Sequence, residues 1–192
     1  IFACCHPAIN TESQIALAVK TLCGLSTNEI ARAFLTAEDT ITKRIYRAKE
    51  KIRAERIELD LPAPHDLPRR METVLHCLYL LFNEGYNSSH PDDLIREELC
   101  EEAMRLCFLL TQHPVTNLPE AQALLALFCF QASRLKARLD DGGNIILMKY
   151  QDRSKWFRPL MNKGFTYLDM AISDQLYISI YHIEAAIASL HA

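Results

Sequence analysis

The chain has 192 residues, of which 49% are hydrophobic and 23% are charged, so it is long enough to bury the core of one or two globular domains. Its formal net charge is −3, and only the part around residues 37–56, with seven Lys and Arg against four Asp and Glu, is suited to nucleic acid. No run of about eighteen uncharged apolar residues occurs, so we expect a cytoplasmic protein with no membrane partner.

The first residues are apolar, and the chain begins at Ile1 without a methionine, which we interpret as the sign of a piece of a longer protein. The run Cys4-Cys5-His6 contains metal-binding residue types, but no second cluster supplies the remaining ligands. We therefore predict no metal and no cofactor. The seven cysteines lie mostly in apolar helical patterns and are expected to be reduced core residues.

A first helix is predicted from about residue 11, capped by Asn10 or Thr11 and ended by Gly24. Four apolar residues share one of its faces: Ile15, Ala18, Val19 and Leu22. We expect this helix to buttress the two helices that follow.

Residues 25–53 have the pattern of a helix-turn-helix. Ser26 or Thr27 can cap a short helix that ends near Phe34, and Glu29 is placed to close a capping box on Ser26. After a turn of three or four residues, a second helix is predicted to begin at residues 37–39 and to end near residue 54. The acids at its start suit the positive end of the helix dipole.

The second helix is predicted to have an inward apolar face and an outward basic stripe. The inward face carries Ile41, Ile45, Ala48 and Ile52, at spacings of four, three and four. We expect the start of the helix to lie closest to base edges and its basic residues to contact phosphates. The candidate DNA-binding residues are Glu38, Asp39, Thr40, Lys43, Arg44, Arg47 and Lys51. From composition alone, a merely solvated charged face is an equal alternative.

The order of residues in this part resembles region 4 of bacterial RNA polymerase sigma factors of the extracytoplasmic-function type. The similarity covers residues 11–53 and includes EIA, a turn, and TITKRIYRAKEKIR. It implies a three-helix domain that binds promoter DNA at the upstream (−35) element and the flap of the beta subunit of core RNA polymerase. Leu35 stands where many such sequences have a turn glycine, so the turn either avoids the left-handed conformation there or is strained.

The segment LDLPAPHDLPRR contains three prolines and predicts a linker, because proline cannot continue a helix. We therefore predict two domains, a region 4-like domain at residues 1–61 and a helical extension at residues 62–192. The fold class expected for the whole chain is all-α.

The extension is predicted to be an antiparallel helical array that is compatible with tetratricopeptide-like stacking. One helix spans residues 68–83, a second is opened by Pro91, and a third begins at Pro119 and is apolar all round. Residues 145–148 are expected to form a brief strand or a buried loop. The last two helices are expected to carry Phe157, Leu160, Met161, Phe165 and Leu168, and Ile180, Ile183, Ile187 and Leu190.

Four segments of the extension, LYLLFNEGYNSS, LCEEAMRL, QDRSKW and AAIASLHA, resemble the carboxy-terminal extension of one subgroup of these sigma factors. The resemblance implies a region 2 domain before this piece, further helices after it, and a regulatory role in which a regulatory protein binds the extension. In QDRSKW the candidate residues are Asp152, Arg153 and Trp156. They either form an ordinary helix start capped by Asp152 or Ser154, or tie that helix to residues 83–86.

We predict that the chain is not an enzyme. The acidic pairs Asp92-Asp93, Glu97-Glu98 and Glu101-Glu102 fit the solvated face of one helix, and His76 beside Cys77 fits a hydrogen-bonded core histidine. Neither a glycine-rich phosphate loop nor a metalloprotease motif occurs. Besides promoter recognition, the alternative function is a helical protein-interaction scaffold that does not read DNA.

Overall fold

The computed structural model describes residues 1–90, 93–173 and 178–192. These residues form an all-helical array without a β-strand, which confirms the predicted fold class. Its helices are α1 (Thr11–Thr21), α2 (Thr27–Ala33), α3 (Glu38–Ala54), α4 (Leu67–Tyr86), α5 (Glu97–Gln112), α6 (Pro119–Ala132), α7 (Arg158–Ile172) and α8 (Ile180–Ser189). No helix in these ranges is both long and apolar enough to span a bilayer. Tetratricopeptide-like stacking stays a prediction.

The first three helices pack on one another largely through the predicted apolar faces, but Leu22 of the predicted α1 face is exposed because it lies just after the last residue of the helix. Asn10 caps α1 by accepting a hydrogen bond from the Ser13 amide at 2.9 Å. Ile41, Ile45 and Ala48 of α3 are buried against α1 and α2. Ile52 is half-buried at the end of this face. The apolar period therefore fixes which side of α3 is free to meet solvent.

The centre of the second part is α6, in which ten consecutive residues, 121–130, are buried. Helix α6 lies against α4, α5, α7 and α8, so its sequence is apolar on every side. The ring of Phe128 stacks on Phe82 of α4 with a centroid distance of 4.2 Å. Pro119 occupies the first turn of α6, where its missing amide hydrogen costs no helical hydrogen bond.

One continuous hydrophobic cluster runs through both parts of the chain. Helix α1 and the short 3₁₀ turn Phe2–Cys4 pack on α4, and the Arg70 guanidinium donates to the Phe2 carbonyl at 2.9 Å. The linker between α3 and α4 contains only one short 3₁₀ turn, at Pro64–Asp66. Six of the seven cysteines are buried, Cys23 is half-buried, and all seven are free thiols, as expected.

Three boundaries in the extension were predicted wrongly. Helix α5 begins at Glu97, and Pro91, like Asp92, lies outside the described residues. Residues 145–148 form neither a strand nor a buried loop: Ile145 makes a single antiparallel bridge with Leu139, and Leu147 is exposed. Helix α7 begins at Arg158 because the backbone of Phe157 is not helical, and its amide is bonded to the Ser133 carbonyl at 2.8 Å.

The apolar stripe of α8 also differs from expectation, because its large residues face solvent. They are Ile180, Ile183, Ile187 and Leu190. The buried positions of this helix are His182 and Ala185. His182 shares a hydrogen bond with Ser179 at 2.8 Å and contacts the Ala171 carbonyl at 3.2 Å. Both ring nitrogens of His182 have hydrogen-bond partners, and Ala185 is small, so α8 can approach its neighbours closely.

Helix α4 and the start of α5 approach each other closely at Gly85. We therefore expect Gly85→Ala to destabilise the protein. A Cβ atom there would lie 2.8 Å from the Arg96 carbonyl oxygen, the Cys100 amide nitrogen and Cys100 Sγ. Two of these atoms are backbone, so the helices must separate. The free energy of unfolding, measured by urea denaturation, should fall by about 1–3 kcal/mol.

Gly142→Ala is the matched control. A Cβ at Gly142 meets only the side chains of Asn144 and Asp140, at 3.1 Å and 3.3 Å, in an exposed turn. Its effect should stay within about 0.5 kcal/mol. Equal stabilities of the two variants would contradict the tight contact.

Candidate nucleic-acid interface

Helix α2 begins with a complete capping box, as predicted. The Ser26 hydroxyl accepts from the Glu29 amide at 3.1 Å, while the Glu29 carboxylate accepts from the Ser26 amide. The other oxygen of Glu29 forms an ion pair with Arg96, just before α5, at 2.8 Å. One carboxylate thus both starts α2 and joins it to the extension.

The turn between α2 and α3 has Leu35 at its left-handed position, with φ +49°. The Leu35 side chain is 95% exposed, so no packing compensates for this conformation. The Thr36 amide donates to the Ala31 carbonyl at 2.9 Å, which holds the chain in the turn. Of the two outcomes open for this turn, the chain adopts the strained one.

The first turn of α3 presents two of the candidate residues to solvent. Glu38 accepts a hydrogen bond from the Thr27 hydroxyl at 2.6 Å, which links the starts of α2 and α3. Asp39 pairs with Lys43 one turn later, at 2.6 Å, and both side chains are exposed. Thr40 is half-buried beside them. Such an exposed ion pair contributes little stability and separates easily.

Arg44 differs from Lys43, Lys51 and Arg53, whose carboxylate partners lie on or next to α3, because the partners of its guanidinium belong to α1 and to the end of α2. It pairs with Glu12 of α1 at 2.6 Å, and its guanidinium carbon lies 5.7 Å from the centroid of the Phe34 ring. Only 24% of its side chain is exposed. Arg44 therefore braces α3 on α1 and α2.

The exposed basic stripe consists of Lys43, Arg47 and Lys51, four residues apart on one face of α3. Lys51 has a loose ion pair with Glu55 at 3.6 Å. Within the described ranges, Arg47 makes no ion pair. Arg47 and Lys51 border a shallow cavity of about 360 Å³ between α3 and the start of α1. The stripe can reach an external anion without breaking the fold.

The QDRSKW motif lies far along the chain and forms a 3₁₀ turn rather than the start of α7. Asp152 caps this turn by accepting from the Ser154 amide at 2.9 Å and hydroxyl at 2.7 Å. These hydrogen bonds lower the pKa of Asp152. Trp156 is buried, and the guanidinium carbon of Arg153 lies 5.1 Å from its ring centroid.

Asp152 and Arg153 contact residues of their own motif, so the predicted tie of this motif to residues 83–86 was wrong. That segment is instead contacted by Arg138, whose guanidinium donates to the Tyr86 carbonyl and lies 3.6 Å from the centroid of the Tyr86 ring. Burial lowers the pKa of Arg138, which the Tyr86 environment partly offsets. No periodicity marks this residue, since it follows the short 3₁₀ turn Leu135–Ala137 after α6.

One further contact between the parts, and a hydrogen bond that supports it, were not predicted. The Arg32 side chain of α2 donates to the Ser89 carbonyl at 2.7 Å. Ser89 in turn donates, from its amide, to the buried carboxylate of Glu84 at 2.8 Å. With the Glu29–Arg96 pair, these bonds attach α2 to the segment between α4 and α5.

The chain is similar to one protein family over most of the extension and to one curated protein over its whole length. One protein family, DUF6596, a family of unknown function, matches residues 70–172, which is more than half of the chain. The chain belongs to the DUF6596 family. An uncharacterized protein of Rhizobium meliloti (strain 1021) is 39% identical over 192 residues, which are 100% of this chain and 45% of that protein. The chain thus spans less than half the length of this relative. No solved structure matches this chain.

Leu35→Gly is expected to stabilise the protein. The left-handed backbone costs an L-residue about 1–2 kcal/mol. The larger freedom of glycine in the unfolded chain offsets roughly half of that gain. The free energy of unfolding should therefore rise by about 0.5–1 kcal/mol. Urea denaturation followed by circular dichroism measures it. The control is Leu22→Gly: Leu22 is also exposed at a helix end, but at φ −109°, so glycine there should destabilise. A less stable Leu35→Gly variant would refute the strain.

Removing the Glu29 carboxylate is expected to cost more than a surface ion pair. Glu29→Ala loses a capping carboxylate, typically worth about 1 kcal/mol. It also removes the less exposed of the two carboxylate partners of Arg96 and leaves only the pair with Glu98, at 3.2 Å, a further cost of about 1 kcal/mol. A double-mutant cycle with Arg96→Ala should give a coupling energy of about 0.5–3 kcal/mol. A coupling of zero would show that the two residues act independently.

The same carboxylate predicts how stability depends on pH. Burial raises the pKa of Glu29, but the Ser26 hydrogen bonds and the Arg96 charge outweigh it, so the pKa lies below its ordinary value. Its contribution is therefore complete above the unfolded value of about 4.3 and is lost as pH falls through the lower folded pKa. Glu29→Gln, which keeps a capping side chain without the charge, should flatten this part of the pH profile.

Proposed function

We propose that this chain is the promoter-recognition and RNA polymerase-binding part of an alternative sigma factor, acting in transcription initiation in the cytoplasm. The observation that carries the proposal is the basic stripe of Lys43, Arg47 and Lys51, exposed on a helix whose other face is buried. The region 4-like order of residues 11–53 supports it independently of the geometry. We propose no catalytic role.

In this function α3 lies in the major groove of promoter DNA with its first turn toward the base edges. Carboxylates such as Glu38 and Asp39 can accept hydrogen bonds from cytosine amino groups. The stripe neutralises phosphates, so binding is salt-sensitive. Arg44 acts chiefly by bracing α3, and its replacement should weaken binding through the orientation of the helix.

The extension acts in this function as a regulatory support for α2 and α3. The bonds of Arg32 to Ser89 and of Arg96 to Glu29 attach the DNA-reading unit to it at two points. Core RNA polymerase then binds through the flap of its beta subunit on the face of the first three helices left open, and a regulatory protein acts on the extension. The helix-turn-helix identity of α2 and α3 is part of this proposal.

The alternative is a helical protein-interaction scaffold without DNA reading. It is favoured by the acidic partners of the candidate residues, since Lys43, Arg44 and Lys51 all face carboxylates. In a scaffold, the α3 face is only a solvated surface. Duplex DNA binding separates the two functions directly.

We expect the whole chain to bind duplex DNA of mixed sequence at low salt. Arg47→Ala should weaken this binding about uniformly across sequences, because the lost contact is to phosphate. The slope of log binding constant against log salt concentration should become shallower by about one. Fluorescence anisotropy against salt concentration measures both quantities. A selection from random duplexes then identifies the preferred promoter sequence.

Arg158→Ala is the matched control, since Arg158 is equally exposed but starts α7 in the extension. It should leave affinity and slope unchanged. Absent binding at low salt, or equal effects of the two substitutions, would favour the scaffold.

A further inference from the structure

A groove of about 510 Å³ lies between α4 and α8 and extends to the start of α6. Its apolar surface comes from residues on all three elements: Met71, Leu75, Tyr79, Leu118, Ile180 and Tyr181. The rings of Tyr79 and Tyr181 pack with a centroid distance of 5.8 Å and form one wall. Ile180 is exposed beside them. The volume of the groove is in the range of sites that hold several side chains of a ligand.

The charges of this groove have one sign. Three carboxylates line it, Glu72 from α4, Glu120 from α6 and Glu184 from α8, and none of the described lining residues is Lys or Arg. The Tyr79 hydroxyl donates to both oxygens of Glu184, at 3.0 Å and 3.2 Å, which fixes that carboxylate against the aromatic wall. The negative charge therefore has a defined position.

The neighbouring titratable groups do not cancel this charge. His76 also lines the groove, and the prediction of a core histidine was wrong because its side chain is exposed at the surface. Partial burial of its ring lowers its pKa, against the opposing effect of Glu72, which disfavours a positive charge there. Burial raises the pKa of the Tyr181 phenol, and the nearby Tyr79, Glu184 and Glu72 raise it further.

We propose that this groove binds a basic peptide segment of a partner protein, with its Lys or Arg side chains paired to Glu72 and Glu184 and an apolar side chain seated on Leu75 and Tyr181. Carboxylates on three helices with aromatic surface between them fit a ligand that has several positive charges separated by apolar groups. An anion, including nucleic acid, is repelled. This assigns the chemistry of a partner for the extension and holds whether or not α3 reads DNA.

The test uses the whole chain, labelled with ¹⁵N, and three peptides of about a dozen residues that alternate Leu with Lys, Gln or Glu. The Lys peptide is expected to shift amide signals around residues 72–79 and 180–184, and the Gln and Glu peptides to leave them unchanged. Equal shifts with the Gln peptide, or shifts confined to other helices, would overturn the proposal.

Charge variants supply the specificity control. Glu72→Gln combined with Glu184→Gln should weaken binding of the Lys peptide at least tenfold, whereas Glu97→Gln combined with Glu101→Gln, the same charge change on the exposed face of α5, should leave it unchanged. Circular dichroism spectra check that both variants fold. Equal weakening by the two pairs would reveal a nonspecific charge effect and overturn the site.

A charge reversal protects the test against loss of the Tyr79–Glu184 bond. Glu72 is exposed, so Glu72→Lys should fold normally, lose the Lys peptide and gain weak affinity for the Glu peptide. Spermidine serves as a competitor: failure to displace the Lys peptide supports a peptide site. Comparable shifts with spermidine alone would identify a small-polyamine site instead and overturn the peptide proposal.

Discussion

The position of α2 depends on one buried carboxylate. Glu29 accepts from the amide that opens α2 and pairs with Arg96, whose own amide donates to the Gly85 carbonyl at the end of α4. The start of α2, the end of α4 and the approach to α5 therefore meet within a few bonds. A carboxylate with this many donors is held in its charged form, because each donor would lose a partner on protonation. The extension and the three-helix unit thereby constrain each other.

The division of labour within α3 follows from that constraint. A fixed α2 fixes Phe34, and Arg44 lies over its ring while reaching Glu12 on α1. Phe34 also stacks on His76 of α4 with a centroid distance of 6.4 Å. One arginine is thus part of the packing, whereas Arg47, one turn away, is free to meet a ligand. The two residue types are identical, and only their neighbours differ.

Local signals made much of the fold predictable from the sequence. Capping at Ser26, the apolar period of α3 and the all-apolar α6 each depend on residues close together in the chain. Contacts between distant residues were not predictable. Arg96 and Arg138 are single basic residues outside regular periodicity, and their partners are acids or carbonyls far along the chain. The α8 stripe misled for a related reason: a period identifies a face, but not whether another element covers it.

The placement of Trp156 determines what an optical measurement on this protein reports. Trp156 is the sole tryptophan, 5% exposed, with the guanidinium carbons of Arg134 and Arg153 at 5.7 Å and 5.1 Å from its ring centroid. Its emission therefore senses the joint between the end of α6 and the start of α7. Melting confined to α1–α3 would leave the two arginines beside Trp156 in place and would not change that signal. Intrinsic fluorescence and circular dichroism would then trace separate events, and any difference between their transition midpoints would directly measure how cooperatively the two ends of the molecule unfold.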